Sequence, residues 1–525
     1  MIQRRTQNLL YWRAHYEVEE ADHEFLYDIL GSAADPMSLE DLAVAVIDRR
    51  CQTEESRIRN ELSRGQIYDP HEGYGVSDAI VFPAFEYRFG EVTDVRTGEN
   101  PEHGEFDVLT VRFEDDGREL QFAARLSTTH VLNRETDEIT FSDEPLLSAQ
   151  EICDELGDAL TVKLEGHLRE NPDYFINAGL RWLTTDQMAP VNIGHLNIAE
   201  AAIEMKNEAT PTSELLDMVE IDPTLSDAVR IFSLETAMHN DDRFVQAGQV
   251  GESAWILRTM VPIVALDIPL SLQYAAVSYD RADLNVELLQ TEWEIGDEWS
   301  DSGMSDGIPS AVPSVIVYPT YPHIAAGVLP LSAAARSLFP EGDGTCTAVT
   351  LIDGRWGQRF PGWVMHAGRY VAGLDKWFLE HKLPVGTSVI LQRTNNPNEV
   401  TVDYKPHRMK RQWVRTARVQ DNRLVFQMER KQIACEYDDN LALFVSDPDD
   451  IVELVEYVDG QGISVEKLVE QIMPELTKLS PQGTAHVKTL YSAVNVVRRL
   501  PPGPIFAALP GIPGATDTGS GFWSL

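Results

Sequence analysis

The sequence predicts an α+β protein made of several domains. Its 525 residues correspond to about three to five domains at roughly 100–200 residues each. Segments in which apolar residues recur every three or four positions, as in amphipathic helices, are interspersed with segments of apolar–polar alternation, as in half-buried strands. Apolar residues make up 43% of the chain and charged residues 24%, so we expect ordered domains rather than a disordered chain.

Residues 20–70 are predicted to form a winged-helix-like unit. Its three helices are expected at Ala21–Leu30, Ser38–Arg49 and Glu54–Arg64. Ser38 and Asp41 have the spacing of a capping box at the start of the second helix, and Thr53 is placed to cap the third. Three short helices followed by an extended stretch are typical of this motif.

The next two segments are predicted to be a barrel and a connector. In residues 71–130, alternating segments are separated by turn signals such as Asp115-Asp116-Gly117, which predicts a small antiparallel β-barrel. Residues 131–190 are predicted to be a mixed helical connector, with one helix near 148–160 and another near 161–169.

Residues 191–290 are predicted to form a second winged helix with following strands. Thr210-Pro211 supplies a cap followed by proline at the first helical position. The stretch DDRFVQAG…GESAWILRTMVP predicts two wing strands, and with the preceding helices it resembles the winged-helix domain shared by the RNA polymerase delta subunit and the HARE-HTH group. The resemblance covers residues 191–262, and its matching positions are Phe244, Gly248, Trp255, Leu257 and Arg258.

The second winged helix is expected to contact protein. The resemblance implies RNA polymerase or another protein as the partner. A DNA-reading third helix normally presents basic or amide side chains to the major groove. Residues 222–239 instead contain Asp222, Asp227 and Glu235 against the single Arg230, which favours a protein partner over DNA.

The net negative charge of the chain arises entirely from its first 350 residues. Residues 1–350 hold 23 basic and 64 acidic side chains, and 23 − 64 gives the whole net charge of −41. Residues 351–435 hold 15 basic and 7 acidic side chains, a net of +8. Residues 291–317 are predicted to be a linker near this boundary, because 294–313 are rich in Gly, Ser, Asp and Pro. Such asymmetry predicts that the two parts meet different partners.

Residues 318–435 are predicted to be a barrel with a basic hairpin. The stretches LPLSAAARSLFP and RYVAGLDKWFLEHKLPVGTSVILQR resemble the DNA-binding pseudobarrel family of plant transcription factors and restriction-enzyme effector domains. The resemblance covers residues 325–404, where Thr387 replaces a usual acidic residue. The other positions of the family pattern are matched by Arg369, Tyr370, Gly373, Phe378, Leu383 and Gly386. It implies DNA binding through a curved face, with Arg355, Arg359, Trp363 and Arg369 as candidates, although Trp363 and Trp377 could equally belong to the barrel core.

The hairpin supplies most of the candidate DNA contacts. Nine basic residues lie between Lys405 and Lys431, against Asp421 and Glu429. Gln420-Asp421-Asn422 is a turn signal between two alternating segments, which predicts a hairpin that could follow a phosphate backbone. A solvated strand face would give the same pattern. The candidate contacts here are Lys405, Arg408, Lys410, Arg411, Arg415 and Arg418.

The end of the chain is predicted to be helical and then mobile. Residues 446–510 read as a three-helix, winged-helix-like unit, although a small helical cap on the barrel would fit equally. The third helix, Ala485–Arg499, is basic and could add to a DNA surface. Residues 511–525 are predicted to be a flexible tail in which Phe522 and Trp523 could dock.

The predicted function is that of a non-enzymatic DNA-binding protein, associated with transcription. Its basic barrel would contact duplex DNA, and its acidic half would contact RNA polymerase or another protein. One alternative is a scaffold without nucleic-acid binding, in which the basic island docks on the acidic half. Another is a restriction-like nuclease using Asp403 and Lys405 of a D-x-K triplet, which would need a further acidic residue such as Asp375 to hold Mg²⁺.

Other chemistry is not indicated by the sequence. There is no P-loop, HExxH, GxSxG or CxxC motif, so no catalytic residue, metal or cofactor is predicted. The four cysteines, Cys51, Cys153, Cys346 and Cys435, are scattered, which fits a reducing cytoplasm. Apolar runs of about 18 residues are absent, and no signal peptide is recognised, so no membrane partner is expected.

Overall fold

A computed structural model describes residues 4–85, 88–100, 103–128, 146–300, 312–342 and 344–525. It confirms a mixed α+β architecture with several separate sheets, of which one, with seven strands, forms a nearly closed barrel. Contacts divide the chain into two compact units, residues 1–190 with 222–233 and residues 191–221 with 234–525. Within the described residues, no helix combines the length and apolar character needed to cross a membrane.

The first unit combines a helical body with a five-stranded sheet. Its helices are α1 (Glu20–Ser32), α2 (Leu39–Ser63), α3 (Ala149–Leu156) and α4 (Asp158–Glu170). Its strands are β1 (Met37–Ser38), β2 (Gln66–Ile67), β3 (Ala79–Phe82), β4 (Arg88–Thr97), β5 (Asp107–Phe113), β6 (Glu119–Ala124), β7 (Phe175–Ala178) and β8 (Arg181–Thr184).

The helical body of the first unit differs from its prediction. Ser38 and Asp41 form the expected capping box, with their side chains 2.7 Å apart. However, α2 is one continuous helix, because Thr53 donates its hydroxyl back to the carbonyl of Arg49 at 2.8 Å instead of capping a new helix. The third helix comes from residues 149–170, which pack on α1 and α2 in one core. Residues 149–184 are therefore part of this body, and the connector prediction for 131–190 is wrong there; residues 131–145 lie outside the described part.

Strands β2–β6 form a five-stranded sheet, four strands of which lie in residues 71–130, where a small antiparallel barrel was expected. They are ordered sequentially, and the β2–β3 pair is parallel although the rest are antiparallel. The amides of Arg125 and Leu126 donate to the carbonyls of Glu72 and Pro70 at 2.9 Å each, which joins the two edges of the sheet. This sheet is inserted between α2 and α3, so it interrupts the helical body in sequence.

The second unit contains the remaining elements. Its helices are α5 (Ile193–Lys206), α6 (Thr212–Leu216), α7 (Asp227–His239, shared with the first unit), α8 (Val286–Ile295), α9 (Tyr321–Ala326), α10 (Ala333–Arg336), α11 (Asp375–His381), α12 (Pro448–Gly460), α13 (Val465–Thr477), α14 (Val487–Val494) and α15 (Pro502–Ala508). Its first strands are β9 (Thr210–Pro211), β10 (Phe244–Gln246) and β11 (Ala254–Leu257).

The seven-stranded barrel contains both parallel and antiparallel pairs. Its strands are β12 (Ser314–Val317), β13 (Val328–Pro330), β14 (Thr347–Asp353), β15 (Arg359–Met365), β16 (Tyr370–Ala372), β17 (Val389–Arg393) and β18 (Glu399–Tyr404). They are ordered β12-β17-β18-β14-β15-β16-β13, and only β14 and β18 run parallel. Leu351, Val364, Val389 and Val400 are fully buried in its core.

Two predicted segments around residue 290 are different in the structure. The strands expected after the second winged helix are absent from residues 258–285, where prolines such as Pro262 and Pro269 lie beside short 3-10 turns. The linker prediction for 291–317 is wrong at both ends. Residues 291–295 complete α8, Asp297 and Glu298 are buried, and 314–317 form β12. Residues 301–311 lie outside the described residues.

The remaining strands follow the barrel. They are β19 (Pro406–Gln420), β20 (Arg423–Cys435), β21 (Leu443–Val445), β22 (Thr484–His486), β23 (Thr516–Gly519) and β24 (Phe522–Ser524). The prediction of a flexible tail at 511–525 is wrong, since β23 and β24 form a hairpin that pairs with β22. Trp523 in this hairpin is only 6% exposed.

One local architecture occurs three times in the chain. Each copy has the order helix, short strand, helix, helix and two-stranded hairpin, except that the first copy has two helices, α3 and α4, directly before its hairpin. Each three-stranded sheet has the spatial order first-third-second. We call the copies repeat A (20–63 with 149–184), repeat B (193–257) and repeat C (465–524). The sheet of β2–β6 is inserted into repeat A between α2 and α3, which explains why the helices predicted near 148–160 and 161–169 were assigned to a connector.

The register of the three sheets is the same. In each copy the third strand carries a buried tryptophan, which pairs with the residue two positions before the second helix begins. On its other side, that tryptophan pairs with a polar residue of the second strand. The tryptophans are Trp182, Trp255 and Trp523, and the polar residues are Asn177, Gln246 and Asp517. The fourth residue of the second helix is a fully buried leucine in each copy: Leu42, Leu215 or Leu490.

A buried charge network joins three parts of the second unit. The guanidinium of Arg499, 0% exposed, lies 2.6 Å from carboxylate oxygens of both Asp297 and Glu298. Tyr491 donates to Asp297 at 2.6 Å, and the Nε2 of His323 donates to Glu298 at 3.0 Å. The segment after α8 is thereby joined to helix α9, beside the barrel, and to repeat C.

The two carboxylates of this network have opposite pKa shifts. Burial opposes ionisation of Glu298, but the charge of Arg499 and the hydrogen bond from His323 outweigh it and lower the pKa to about 2. Burial raises the pKa of Asp297, and Arg499 offsets this only in part. The stabilisation from Glu298 is thus complete above its ordinary pKa of 4.5 and is lost as the pH falls toward about 2.

Replacement of Trp523 by alanine tests whether the tail belongs to a folded repeat. We expect the free energy of unfolding of the full chain, measured by urea denaturation, to fall by about 3–5 kcal/mol, because a large buried side chain leaves a cavity. Trp293→Ala is the matched control, since Trp293 is 66% exposed and its loss should change stability by less than about 0.5 kcal/mol. Equal stability of the two variants would contradict the assignment.

Replacement of Arg499 by methionine tests the charge network. We expect a loss of about 3–5 kcal/mol near pH 7, because two buried carboxylates lose their counter-ion. The loss should shrink on lowering the pH to about 5, since protonation removes the unpaired charge. It should also shrink in the double variant with Asp297→Asn. Arg423→Met, at an exposed arginine, is the control and should leave urea denaturation unchanged.

Candidate nucleic-acid interface

The basic segment after the barrel forms a long antiparallel hairpin, as predicted. Strands β19 and β20 pair from Gln420↔Arg423 at the turn to Lys410↔Ile433 near the base. Asp421 and Asn422 have φ of +51° and +56°, and two positive φ values in succession favour Asn and Asp in a tight hairpin turn. The turn therefore fixes which residues face each other across the two strands.

Two hydrophobic cores hold the hairpin on opposite faces. Near its base, Val414 and Ile433 are buried in the barrel core. Near its turn, Ala417 and Phe426 are buried in the core that contains repeat C. Because successive side chains of a strand point to opposite faces, Val414 and Ala417 point to opposite faces of the hairpin. Each face is therefore packed against a hydrophobic core. The hairpin is thus a firmly held element.

One part of the ladder remains open to solvent. Opposite the face that Val414 buries, the pairs Arg411↔Gln432, Trp413↔Arg430 and Arg415↔Met428 lie side by side. Trp413 is 60% exposed, and the guanidinium carbon of Arg430 lies 5.1 Å from the centre of its ring. The exposure follows from the register, because the neighbouring Val414 occupies the barrel core.

Four cations of the hairpin have no acidic partner. In the described part of the chain, Arg408, Lys410, Arg411 and Arg430 form no ion pair, and all four are exposed. Arg408 and Lys410 lie where the ladder register is irregular, between residues 406 and 410. We call Arg408, Lys410, Arg411, Trp413 and Arg430 the hairpin patch.

Other sequence-predicted DNA contacts are paired with acidic side chains. Arg355 lies 3.8 Å from Asp403 and Lys405 lies 3.5 Å from Glu436. Arg359 pairs with Glu399. Arg418 lies 2.7 Å from Glu429, which also pairs with Lys431 at 3.0 Å.

Arg369 and Arg415 donate to backbone carbonyls. Arg369 donates to the carbonyl of Glu298 at 2.8 Å and lies 4.4 Å over the ring of Trp299. Arg415 donates to the carbonyl of Asp439 at 2.7 Å. Of the nine predicted contacts, only Arg408, Lys410 and Arg411 have neither an acidic partner nor a carbonyl acceptor for the side chain among the described residues.

Arg430 and Trp413 were absent from the predicted contacts. The position of the turn at 421–422 is enough to predict that Arg430 faces Trp413. In a two-stranded hairpin, residues that are equally far from the turn along the two strands lie opposite each other. The alternation of β19 predicted Arg411, Trp413 and Arg415 on one face, and the ladder confirms that they share it.

The three basic residues Lys488, Arg498 and Arg499 of repeat C have partners within the second unit. Arg499 is in the buried network, and Lys488 lies 3.1 Å from Glu294 and 3.2 Å from Asp438. Arg498 donates to the carbonyl of Ile463 at 2.6 Å. The expectation that this helical unit adds to a DNA surface stays a prediction.

The barrel turn that carries Arg355 is held by a buried triad. The carboxylate of Asp353 accepts from the backbone amide of Arg355 at 2.7 Å and lies 2.8 Å from Nε2 of His381. The other ring nitrogen of His381 lies 3.2 Å from the hydroxyl of Tyr404. Burial raises the pKa of Tyr404, and Arg355 partly offsets it. The triad orders the end of β14.

A cavity of about 440 Å³ lies beside α11 at this end of the barrel. Trp363 and Trp377 line it and are 6% and 3% exposed, so both belong to the buried interior and Trp363 is not presented to DNA. Asp375 also lines this cavity, whereas Asp403 faces Arg355 and Lys405 faces Glu436. Over the residues the structure describes, no group of three or more His, Cys, Asp or Glu side chains could hold a metal ion.

Comparison with known proteins adds no relative: no family model, curated protein or solved structure matches this chain. The likeness of residues 191–262 to the HARE-HTH group and of 325–404 to the pseudobarrel family therefore stays a prediction.

Proposed function

We propose that this chain is a non-enzymatic protein that binds duplex DNA through the hairpin patch. The observation that carries the proposal is the group of four exposed cations without acidic partners on the hairpin that also exposes Trp413, in a chain whose net charge is −41. In an acidic protein, cations that remain unneutralised on a firmly held element suit an anionic partner. Lysine and arginine contacts to phosphates supply most of the affinity of non-specific DNA binding.

The folds of the surrounding domains support this proposal. The seven-stranded barrel, with one parallel pair and short helices, is consistent with the DNA-binding pseudobarrel that the sequence resembles. Repeats B and C have the helix–strand–helix–helix–hairpin order of a winged helix, and repeat A has the same order with two helices, α3 and α4, before its hairpin. We propose these two identities for them. The acidic residues 1–350 would then contact RNA polymerase or another protein of transcription.

Replacement of Arg408, Lys410 and Arg411 by alanine tests the patch in the full chain. We expect weaker binding to a fluorescent duplex and a shallower dependence of affinity on salt, by about 0.9 in log–log slope for each lost phosphate contact. The control variant replaces Arg355, Arg359 and Arg418, whose charges are already neutralised, and should bind nearly as the wild type does. Equal losses in both variants, or no binding by the wild type at low salt, would overturn the proposal.

Replacement of Glu429 by glutamine should strengthen DNA binding. The hydrogen bond from Lys431, reinforced by those from Gln427 and Arg418, lowers the pKa of Glu429 to about 2. The ionised Glu429 pairs with Lys431 and Arg418 and neutralises their charges at neutral pH. Glutamine would free Lys431 and Arg418 for phosphate and steepen the salt dependence. Glu470→Gln removes the same charge from an exposed position of α13 that forms no ion pair in the described residues, and it should have little effect. If Glu429→Gln leaves the affinity for DNA unchanged, the expectation that the released Lys431 and Arg418 contact phosphate is contradicted.

A further inference from the structure

The exposure of Trp413 needs an explanation beyond phosphate binding. Cations alone can neutralise a phosphate backbone, and an aromatic ring adds nothing to that attraction. Yet Trp413 is 60% exposed at the centre of the patch, directly opposite Arg430. The ladder holds it there, because Val414 on one side of it is buried in the barrel core.

The geometry around Trp413 suits a stacked ring. The guanidinium of Arg430 lies over the indole at 5.1 Å from its centre, so it both orients the ring and places a positive charge beside it. Arg411 is two residues along the same strand and on the same face. The ring is therefore flanked by cations that could hold the phosphates on either side of one nucleotide.

An unpaired base is the partner that this arrangement fits. Inside a duplex, each base is covered on both faces by its neighbours, so its π-face is not accessible to a side chain. Proteins that bind single strands combine a positively charged groove with aromatic side chains on which unpaired bases stack. Trp413 between Arg411 and Arg430 reproduces that combination on the open face of the hairpin.

We propose that Trp413 stacks on an unpaired nucleobase, so that the hairpin patch prefers DNA with a single-stranded segment over a fully paired duplex. The inference rests on the proposed function, since the cations must first hold the DNA. Stacking of one base on an aromatic side chain corresponds to about a 10-fold or greater gain in affinity.

The test compares three DNA probes with the full chain at one salt concentration. These are a blunt duplex, the same duplex with a short single-stranded extension, and the single strand alone, each followed by fluorescence anisotropy. We expect the wild type to bind the extended duplex about 10-fold more tightly than the blunt one. Trp413→Ala should abolish the difference between the extended and the blunt duplex, and Trp413→Phe should retain much of it. Trp293→Ala, at another exposed tryptophan, is the control and should behave as wild type.

The outcomes separate this inference from the proposed function. If the wild type binds blunt and extended duplexes equally, or if Trp413→Ala weakens both equally, base stacking is overturned while DNA binding stands. If the wild type binds none of the three probes at low salt, the proposed function is overturned as well.

Discussion

The buried pairing of Arg499 with Asp297 and Glu298 is the interaction on which the second unit depends. Three charged side chains removed from water are costly unless they satisfy each other, and here each carboxylate also accepts a second hydrogen bond, from Tyr491 or His323. Because these groups come from the α8 segment, helix α9 beside the barrel and repeat C, the pairing fixes their arrangement. The hairpin, which enters the barrel core and the core of repeat C, depends on that arrangement.

The repeats show how one architecture carries different surfaces. In all three copies a tryptophan of the third strand is buried at the same register, so their internal packing follows one pattern. Their charges differ: repeats A and B belong to the acidic region, while repeat C uses Lys488 and Arg499 to bind acidic groups of its own unit. Four exposed cations of the hairpin form no ion pair in the described residues, and we propose this small surface for the external partner.

Local patterns in the sequence predicted the hairpin and many of the helices and strands. The features that were not predicted depend on contacts between residues that are far apart in the sequence. The turn at Asp421 and Asn422 and the alternation beside it define the hairpin, because both depend on neighbouring residues. The third helix of repeat A was misassigned since the inserted sheet separates it from α2. Arg499 was expected to be a surface cation, because Asp297, which neutralises it, lies 202 residues earlier. The same limit applies to Arg359 and Arg418, whose acidic partners are not evident from sequence spacing.

Hydrogen–deuterium exchange of the full chain, with and without duplex DNA, tests the central claim most directly. If the hairpin patch is the contact surface, DNA should slow exchange in the peptides that contain residues 406–413 and 428–433, and leave the three buried repeat sheets unchanged. Slower exchange confined to residues 1–350, with no change in the hairpin, would contradict the account.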